Sequence, residues 1–521
     1  MELHVLIIHR NYNEKTIEGD LFAAMVNAGA ISKANADDPM KSSLVRCART
    51  DKGVHAAGNV ISLKLIVEDA NIVQKINSHL SPQIRVFGIS RTNSSFSAYQ
   101  FCDSRIYEYL IPTHCFLPPH PESFLGKQIV ALAEEVEDLE GFRERQSEVL
   151  TFWSKIEEKY IKPVLEQLDP STRSLVLQAL YSSGTESSEP ESSEANDVLE
   201  GNGQIRPRNA ANRGMDPENK GTARADNPSN DKATLEQQDA PSETPVAPDS
   251  LDSEISNNAS KPSDTNEPSP LETAIKSLKI AYLTARNAYR IEPTRISRIR
   301  SALTHYIGTH NYHNYTVAKT FRDASAKRVI RTFTVSDTPI VFNNTEWLSL
   351  KVHGQSFMTH QIRKMVSMTA MVVRCGCDME RMGESFRKER ICIPKAPGLG
   401  LLLERPVFDT YNEQLEKFGR DSIDFSKHQK EMEEFKQREI YERIFREEER
   451  DHTFHSFFAS IDNLRSTQML YVSSPGIAAT NRALPDAPKA VDVEKGVEDL
   501  SSDDEAVDGG EGWRLLGRFG P

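Results

Sequence analysis

The chain is short of the features that mark several classes of protein. Its 521 residues contain no run of eighteen apolar side chains, which excludes a membrane-spanning helix. Six cysteines in that length do not make a disulfide framework, so the chain reads as intracellular. The first ten residues lack a basic region followed by a long apolar one, so no cleaved secretory signal is expected. Cys375-Gly376-Cys377, Cys392 and the scattered histidines supply neither a CxxC nor an HxxxH pattern, so no metal site is expected. Hydrophobic residues make up only 38% and aromatics 7%, with a mean hydropathy of −0.52. That is too little apolar surface to fold every part of a chain this long, and long unfolded stretches are expected.

Charge is unevenly placed. The formal net charge is −13, but residues 181–270 carry −11, residues 412–521 carry −9, and the remainder carries +7. A basic core with acidic appendages suits a polyanionic partner. The same surplus is also compatible with an ordinary soluble domain. Residues 181–270 are rich in Ser, Asn, Pro, Glu and Asp, with no aromatic after Tyr181. Such a segment cannot bury enough surface to offset its ordering entropy and reads as a disordered linker. Residues 473–521, with the acidic run at 499–505, read as a tail of the same kind.

Between these segments helix and strand patterns mix. Ile17, Leu21, Ala24, Met25 and Ala28 recur at helical spacing, with Thr16 as N-cap and Gly29 as the stop. Residues 59–67 alternate as a strand, and a short helix at 70–79 and strands at 84–89 and 105–111 follow. Residues 127–179 look helical and charged. Further on, the spacing predicts a helix at 295–306 and strands at 328–335 and 346–353. In the last strand Leu348, Leu350 and Val352 face a core, and Trp347, Ser349 and Lys351 lie opposite. A helix over 357–374 carries Met358, Ile362, Met365, Val366, Thr369, Val372 and Val373 on one stripe. Its other face holds His360, Arg363, Lys364 and Ser367. Residues 425–450 read as a charged helix whose thin apolar side is Phe435, Ile440 and Ile444. The mixture indicates an α+β core.

The most informative stretch is Arg46-Cys47-Ala48-Arg49-Thr50-Asp51-Lys52-Gly53-Val54-His55-Ala56, a loop just before the 59–67 strand. Asp51 is surrounded in sequence by Arg46, Arg49, Lys52 and His55, which favour its ionised form. An ionised carboxylate there can act as nucleophile or base. Read by itself, Asp-x-Gly is also a common turn whose aspartate bonds its own backbone. Tyr107 shares a strand face with Arg105, Tyr109 and Ile111, as sheet packing would also require. Arg363 lies on the polar face of its helix, where solvation is the plain reading. The run His310-Asn311-Tyr312-His313-Asn314-Tyr315 suits either base stacking or a core strand edge.

Arg49-Thr50-Asp51-Lys52-Gly53-Val54-His55-Ala56 resembles the central motif of the TruA family of tRNA pseudouridine synthases, Arg-Thr-Asp-x-Gly-Val-x-Ala. Four further blocks follow in family order: Arg105-Ile106-Tyr107-Glu108-Tyr109; Gly308 to Tyr315; Gly354-Gln355-Ser356-Phe357-Met358-Thr359-His360-Gln361-Ile362-Arg363; and Ala396-Pro397-Gly398-Leu399-Gly400-Leu401. The helix start at 16–21 and the long insertion are most similar to the eukaryotic tRNA pseudouridine synthase 1 group. The resemblance implies a pseudouridine synthase fold: two α+β halves forming a mixed, mainly antiparallel sheet with a central basic cleft. It divides the chain into core halves 1–115 and 271–411, a helical insertion 116–180, the acidic linker 181–270, a charged helical extension 412–472 and the tail 473–521.

It also implies an isomerase that turns uridine in tRNA into pseudouridine without a cofactor or metal, by flipping the base out of the RNA stack. Asp51 would start the reaction, by attack on C1′ or by removal of the 2′ proton. Tyr107 would stack on the uracil, and Arg363 would pair with Asp51. Arg49, Lys52 and Arg105, with Tyr107, would hold the RNA. The group implies the anticodon stem region as target, with snRNA or mRNA as further substrates. It implies a monomer without membrane attachment, in the nucleus rather than the cytoplasm or mitochondrion. Family members begin with a strand followed by a Tyr-x-Gly segment; here residues 3–8 are the only candidate strand. The alternative reading is a catalytically impaired tRNA-binding protein or chaperone descended from a synthase.

Overall fold

The computed structural model describes residues 2–4, 16–50, 53–181, 270–419 and 421–483. Asp51, Lys52, nearly all of the expected linker and the 499–505 run lie outside the described residues. The described residues all belong to one compact unit, to which all of the following refers.

The first helix is Ile17–Asn27. Thr16 caps it as expected, its Oγ1 accepting from the Gly19 N–H at 3.1 Å. Leu21, Ala24 and Met25 are buried, as their spacing requires. The strands are β1 (Glu2–His4), β2 (Val45–Arg46), β3 (His55–Ala56), β4 (Val60–Ser62), β5 (Ile89–Ser90), β6 (Ser104–Pro112), β7 (Gly308–Asn311), β8 (Lys327–Val335), β9 (Ile340–Phe342), β10 (Thr345–Gly354) and β11 (Leu401–Val407). They divide between two sheets. One is four-stranded in the order β2-β4-β1-β5; the other is seven-stranded, β3-β11-β6-β10-β8-β7, with β9 beside β10. All pairings are antiparallel except β3 with β11. This is the mixed, mainly antiparallel α+β core expected from the sequence.

Strand β1 sits between β4 and β5, with Leu3 opposite both Ile61 and Ile89. The described part of the candidate strand, Glu2–His4, therefore sits inside the ladder of the smaller sheet, and residues 5–8 of the expected 3–8 strand lie outside the described residues. Two expected strands are shorter than their patterns. Beyond Ser62 the Lys64 and Ile66 N–H groups donate to the Ser42 and Ala30 carbonyls, which belong to no strand. Around Val86 the side chain of Asn77 both donates to and accepts from the backbone, replacing a strand neighbour.

The larger sheet is covered on both faces. Helices Pro293–Thr304 and Gln361–Arg374 pack on one side, where the Tyr306 hydroxyl donates to the Met365 carbonyl at 2.9 Å. The expectation that Trp347 and Ser349 face away from a core is corrected: both are buried. The 412–472 extension covers that face, with Phe445 and Phe454 ring centroids 4.7 and 6.0 Å from Trp347. Phe435, Ile440 and Ile444 are its buried side, as predicted. Folded chain continues past 472 into the Gly476–Asn481 turn, where Ala479 is buried.

The Gln361–Arg374 helix is buried all round. The solvated face assigned to Arg363, Lys364 and Ser367 is thus overturned, because the helix runs through the middle of the domain. Tyr312 and Tyr315 are also fully buried, in a ring cluster with Tyr306 and Phe386. From Asn311 to Tyr315 this stretch is core, so its two tyrosines are not available for base stacking; His310 is partly exposed.

Several histidines are held neutral. Burial, with help from the Arg443 charge, lowers His55 to about 4. Burial, then Arg286, His452 and Arg374, lowers His114 to about 3. Both folded values lie below the unfolded value of about 6.5. Their contribution is therefore complete above pH 6.5 and is lost as pH falls, at up to about 1.4 kcal/mol per pH unit for each group. Denaturant midpoints should fall between pH 6.5 and 5, and His114→Leu should reduce that slope. A flat profile over this window would contradict the assignment.

Candidate active site

The centre of the larger sheet is β6. Its Tyr107 lies opposite Val352 of β10 on one side and Leu403 of β11 on the other. Leu403 is in turn paired with Ala56 of β3. A single cross-strand row thus runs Ala56, Leu403, Tyr107, Val352, Phe333. This row joins the end of the Arg49–Ala56 motif to the tyrosine of the second motif across one intervening strand.

Tyr107 is 9% exposed, and Phe357 meets its ring edge to face, centroids 5.2 Å apart. Phe357 leads into the Gln361–Arg374 helix, two residues into which is Arg363. Arg363 is 1% exposed, and its Nε donates to the Ala396 carbonyl at 2.6 Å. The next carbonyl, Pro397, accepts from the Tyr109 hydroxyl at 2.6 Å. Arg363 and the Tyr107 strand are therefore fastened to the same dipeptide. A buried guanidinium in this apolar setting is stable only when its charge and N–H groups are matched.

The loop of the first motif is held on both flanks. Before it, the Cys47 carbonyl accepts from Arg105 Nη2 at 2.8 Å, and Arg46 pairs with Glu18. The Ala48 carbonyl accepts from the Asn59 amide at 3.1 Å. After it, the Ala57 N–H donates to the Leu403 carbonyl at 2.8 Å. Thr50 is buried, Arg49 is exposed, and Gly53 has φ +77°, a value that a residue without Cβ adopts freely. Of the expected site residues, Arg105 holds the flank before the loop, Tyr107 is joined to its end through Leu403, Arg363 is tethered at Ala396, and Arg49 is exposed. Asp51 and Lys52 are outside the described residues. Two participants were not singled out from sequence: the Phe357 ring and the Ala396 carbonyl. Both lie inside the quoted motif blocks, and only tertiary packing shows what they touch. Among the described residues no group of three or more His, Cys, Asp or Glu is placed to hold a metal ion. Among them, too, no helix is long and apolar enough to cross a membrane.

A family model described as tRNA pseudouridine synthase matches residues 302–409, which include Phe357, Arg363, Ala396 and β11. Over 511 residues the chain is 40% identical to tRNA pseudouridine synthase 1 of Schizosaccharomyces pombe, covering 96% of this chain and 87% of that one. The chain belongs to the TruA family of tRNA pseudouridine synthases. Its likeness to tRNA pseudouridine synthase 1 of Yarrowia lipolytica is 40% over 457 residues, 87% of this chain and 70% of the relative. The tRNA pseudouridine(27/28) synthase of Saccharomyces cerevisiae is 28% identical over 460 residues, 87% and 95% of the two chains. For this synthase, the match to the S. pombe protein extends well beyond residues 302–409.

Proposed function

We propose that this synthase converts uridine to pseudouridine in tRNA with Asp51, Tyr107 and Arg363 as its catalytic residues. Arg49, Lys52 and Arg105 hold the RNA. The observation that carries the site is the buried Arg363 guanidinium, tethered through Ala396-Pro397 to the strand of Tyr107.

The reaction is an isomerisation. The bond between N1 and C1′ breaks, the uracil turns, and C5 bonds to C1′. The C5 proton then leaves and N1 gains one. Nothing is gained or lost overall, so no cofactor is required. Asp51 starts the bond breaking, and Arg363 keeps its carboxylate ionised and aimed. Tyr107 stacks on the flipped uracil. The targets are uridines of the anticodon stem region, with snRNA or mRNA as further substrates. The enzyme acts as a monomer in the nucleus; these last assignments rest on its resemblance to the eukaryotic group. A basic cleft makes RNA affinity salt-dependent.

The test is to incubate the full chain with unmodified tRNA transcripts and map pseudouridine along them. Product in the anticodon stem is expected. Product elsewhere only would overturn the target assignment. Intact tRNA binding with no product on any transcript would overturn the enzyme reading in favour of an impaired tRNA binder.

A further inference from the structure

Behind Tyr107, on the face of β6 that the reaction does not use, lies a buried ion cluster. Glu108, next in the chain, points to that face by strand alternation and is 1% exposed. Its carboxylate accepts from the Tyr441 hydroxyl at 2.6 Å and from the Ser349 hydroxyl of β10. Lys436 Nζ lies 3.6 Å from Glu108, 3.2 Å from Glu404 of β11 and 3.1 Å from Glu433. Burial alone would push the Lys436 ammonium down, yet the Glu108 and Glu404 carboxylates hold it above the ordinary lysine value.

Two irregularities converge here. Residues Lys436–Tyr441 form a π-helical turn inside the charged helix. Five residues apart, Lys436 and Tyr441 would sit about 140° apart on a regular helix; the wider turn lets both reach one carboxylate. Such turns are frequent at functional positions. The second irregularity is a bulge in β11 between Leu403 and Arg405, which leaves Glu404 out of the ladder and turns it to Lys436. Leu403 is the residue between Tyr107 and Ala56. The same extension also bears on the loop. A methyl group at Gly58 would come 2.8 Å from Met432 Cε and 3.2 Å from Phe425 Cε1, so this backbone lies directly against it.

We infer that Lys436 is a positioning residue for pseudouridine formation, its ammonium and the Tyr441 hydroxyl fixing β6 and β11 from behind so that Tyr107 and the Asp51 loop keep their mutual placement. The inference rests on the catalytic reading above. An ammonium shared among three carboxylates on two strands and one helix sets the spacing of those strands. Without it, Glu108 and Glu404 keep only the solvent-exposed Lys351 ammonium, 3.9 and 4.0 Å away, so the buried link between the two strands and the helix is lost.

The experiment measures single-turnover pseudouridine formation and tRNA affinity on the full chain, with Asp51→Ala alongside. Lys436→Met should slow the rate by about 10²-fold, the cost of roughly 1 Å of misplacement, with tRNA affinity within about two-fold. Lys436→Arg should recover most of the rate, and Tyr441→Phe, which keeps the ring and is the variant to read should Lys436→Met fail to fold, should show a smaller loss of the same kind. A parental rate in folded Lys436→Met, or in Tyr441→Phe, would overturn the inference, as would rate and affinity falling together in the same proportion. An active Asp51→Ala would instead overturn the catalytic reading, so the two failures are distinguishable.

Discussion

Asp51→Ala is expected to cut pseudouridine formation by at least about 10³-fold while leaving tRNA affinity within about two-fold. Affinity comes largely from contacts to phosphates and scarcely depends on one carboxylate at the base. On the proposed mechanism the chemical step has no substitute for that carboxylate. Water in its place would be neither held against the sugar nor kept ionised by Arg363. Asp51→Asn should be as inactive as alanine, since the amide keeps the shape and loses the charge. Release of the C5 hydrogen from tRNA labelled at that position reads the step directly, and measurable turnover by Asp51→Asn would remove the residue from its role.

The second large effect is on stability and lies at the far end of the helix that carries Arg363. Arg374, the last residue of that helix, is buried against Asp462, Nη2 to Oδ2 at 2.9 Å, with Phe458 under its guanidinium at 4.9 Å. Its Nε donates to the Leu117 carbonyl at 3.2 Å. Burial would lower the Arg374 value, but the Asp462 carboxylate raises it above that of an ordinary arginine. Removing one partner strands the other in apolar surroundings. Asp462→Ala should cost about 3–5 kcal/mol, and replacing both by apolar residues of similar volume should recover most of that. Denaturant midpoints of the two variants decide it. A loss below about 1 kcal/mol for Asp462→Ala would mean that the pair is no more than a surface bridge.

The sequence made parts of this molecule legible for definite reasons. Thr16 followed by a clean helical period specifies the first helix because capping and periodicity are both local. The strands at 327–335 and 345–354 are long enough for alternation to declare them. What failed was exposure. The polar stripe of the 361–374 helix and the Trp347 side of β10 both read as outward faces. Each is covered by an element distant in the chain, and no local pattern encodes such a partner. The site shows the same split. Alternation puts Arg105, Tyr107 and Tyr109 on one face, but nothing local separates sheet packing from the substrate role proposed for Tyr107. That proposal comes from the five ordered motif blocks. The tether between Arg363 and Tyr109 through Ala396-Pro397 needed the fold, since its ends are far apart in the chain.

The place of β6 has a consequence for how the protein is made. Both of its ladder neighbours, β10 and β11, are encoded more than two hundred residues downstream. At about 5–20 residues per second, a ribosome needs on the order of tens of seconds to produce them. Throughout that interval a nine-residue strand rich in apolar side chains has two open edges and no partner. Nascent chains of this protein are thus exposed to edge-to-edge association for longer than those of a domain built from consecutive hairpins, and shielding during translation becomes part of the requirement for making active enzyme.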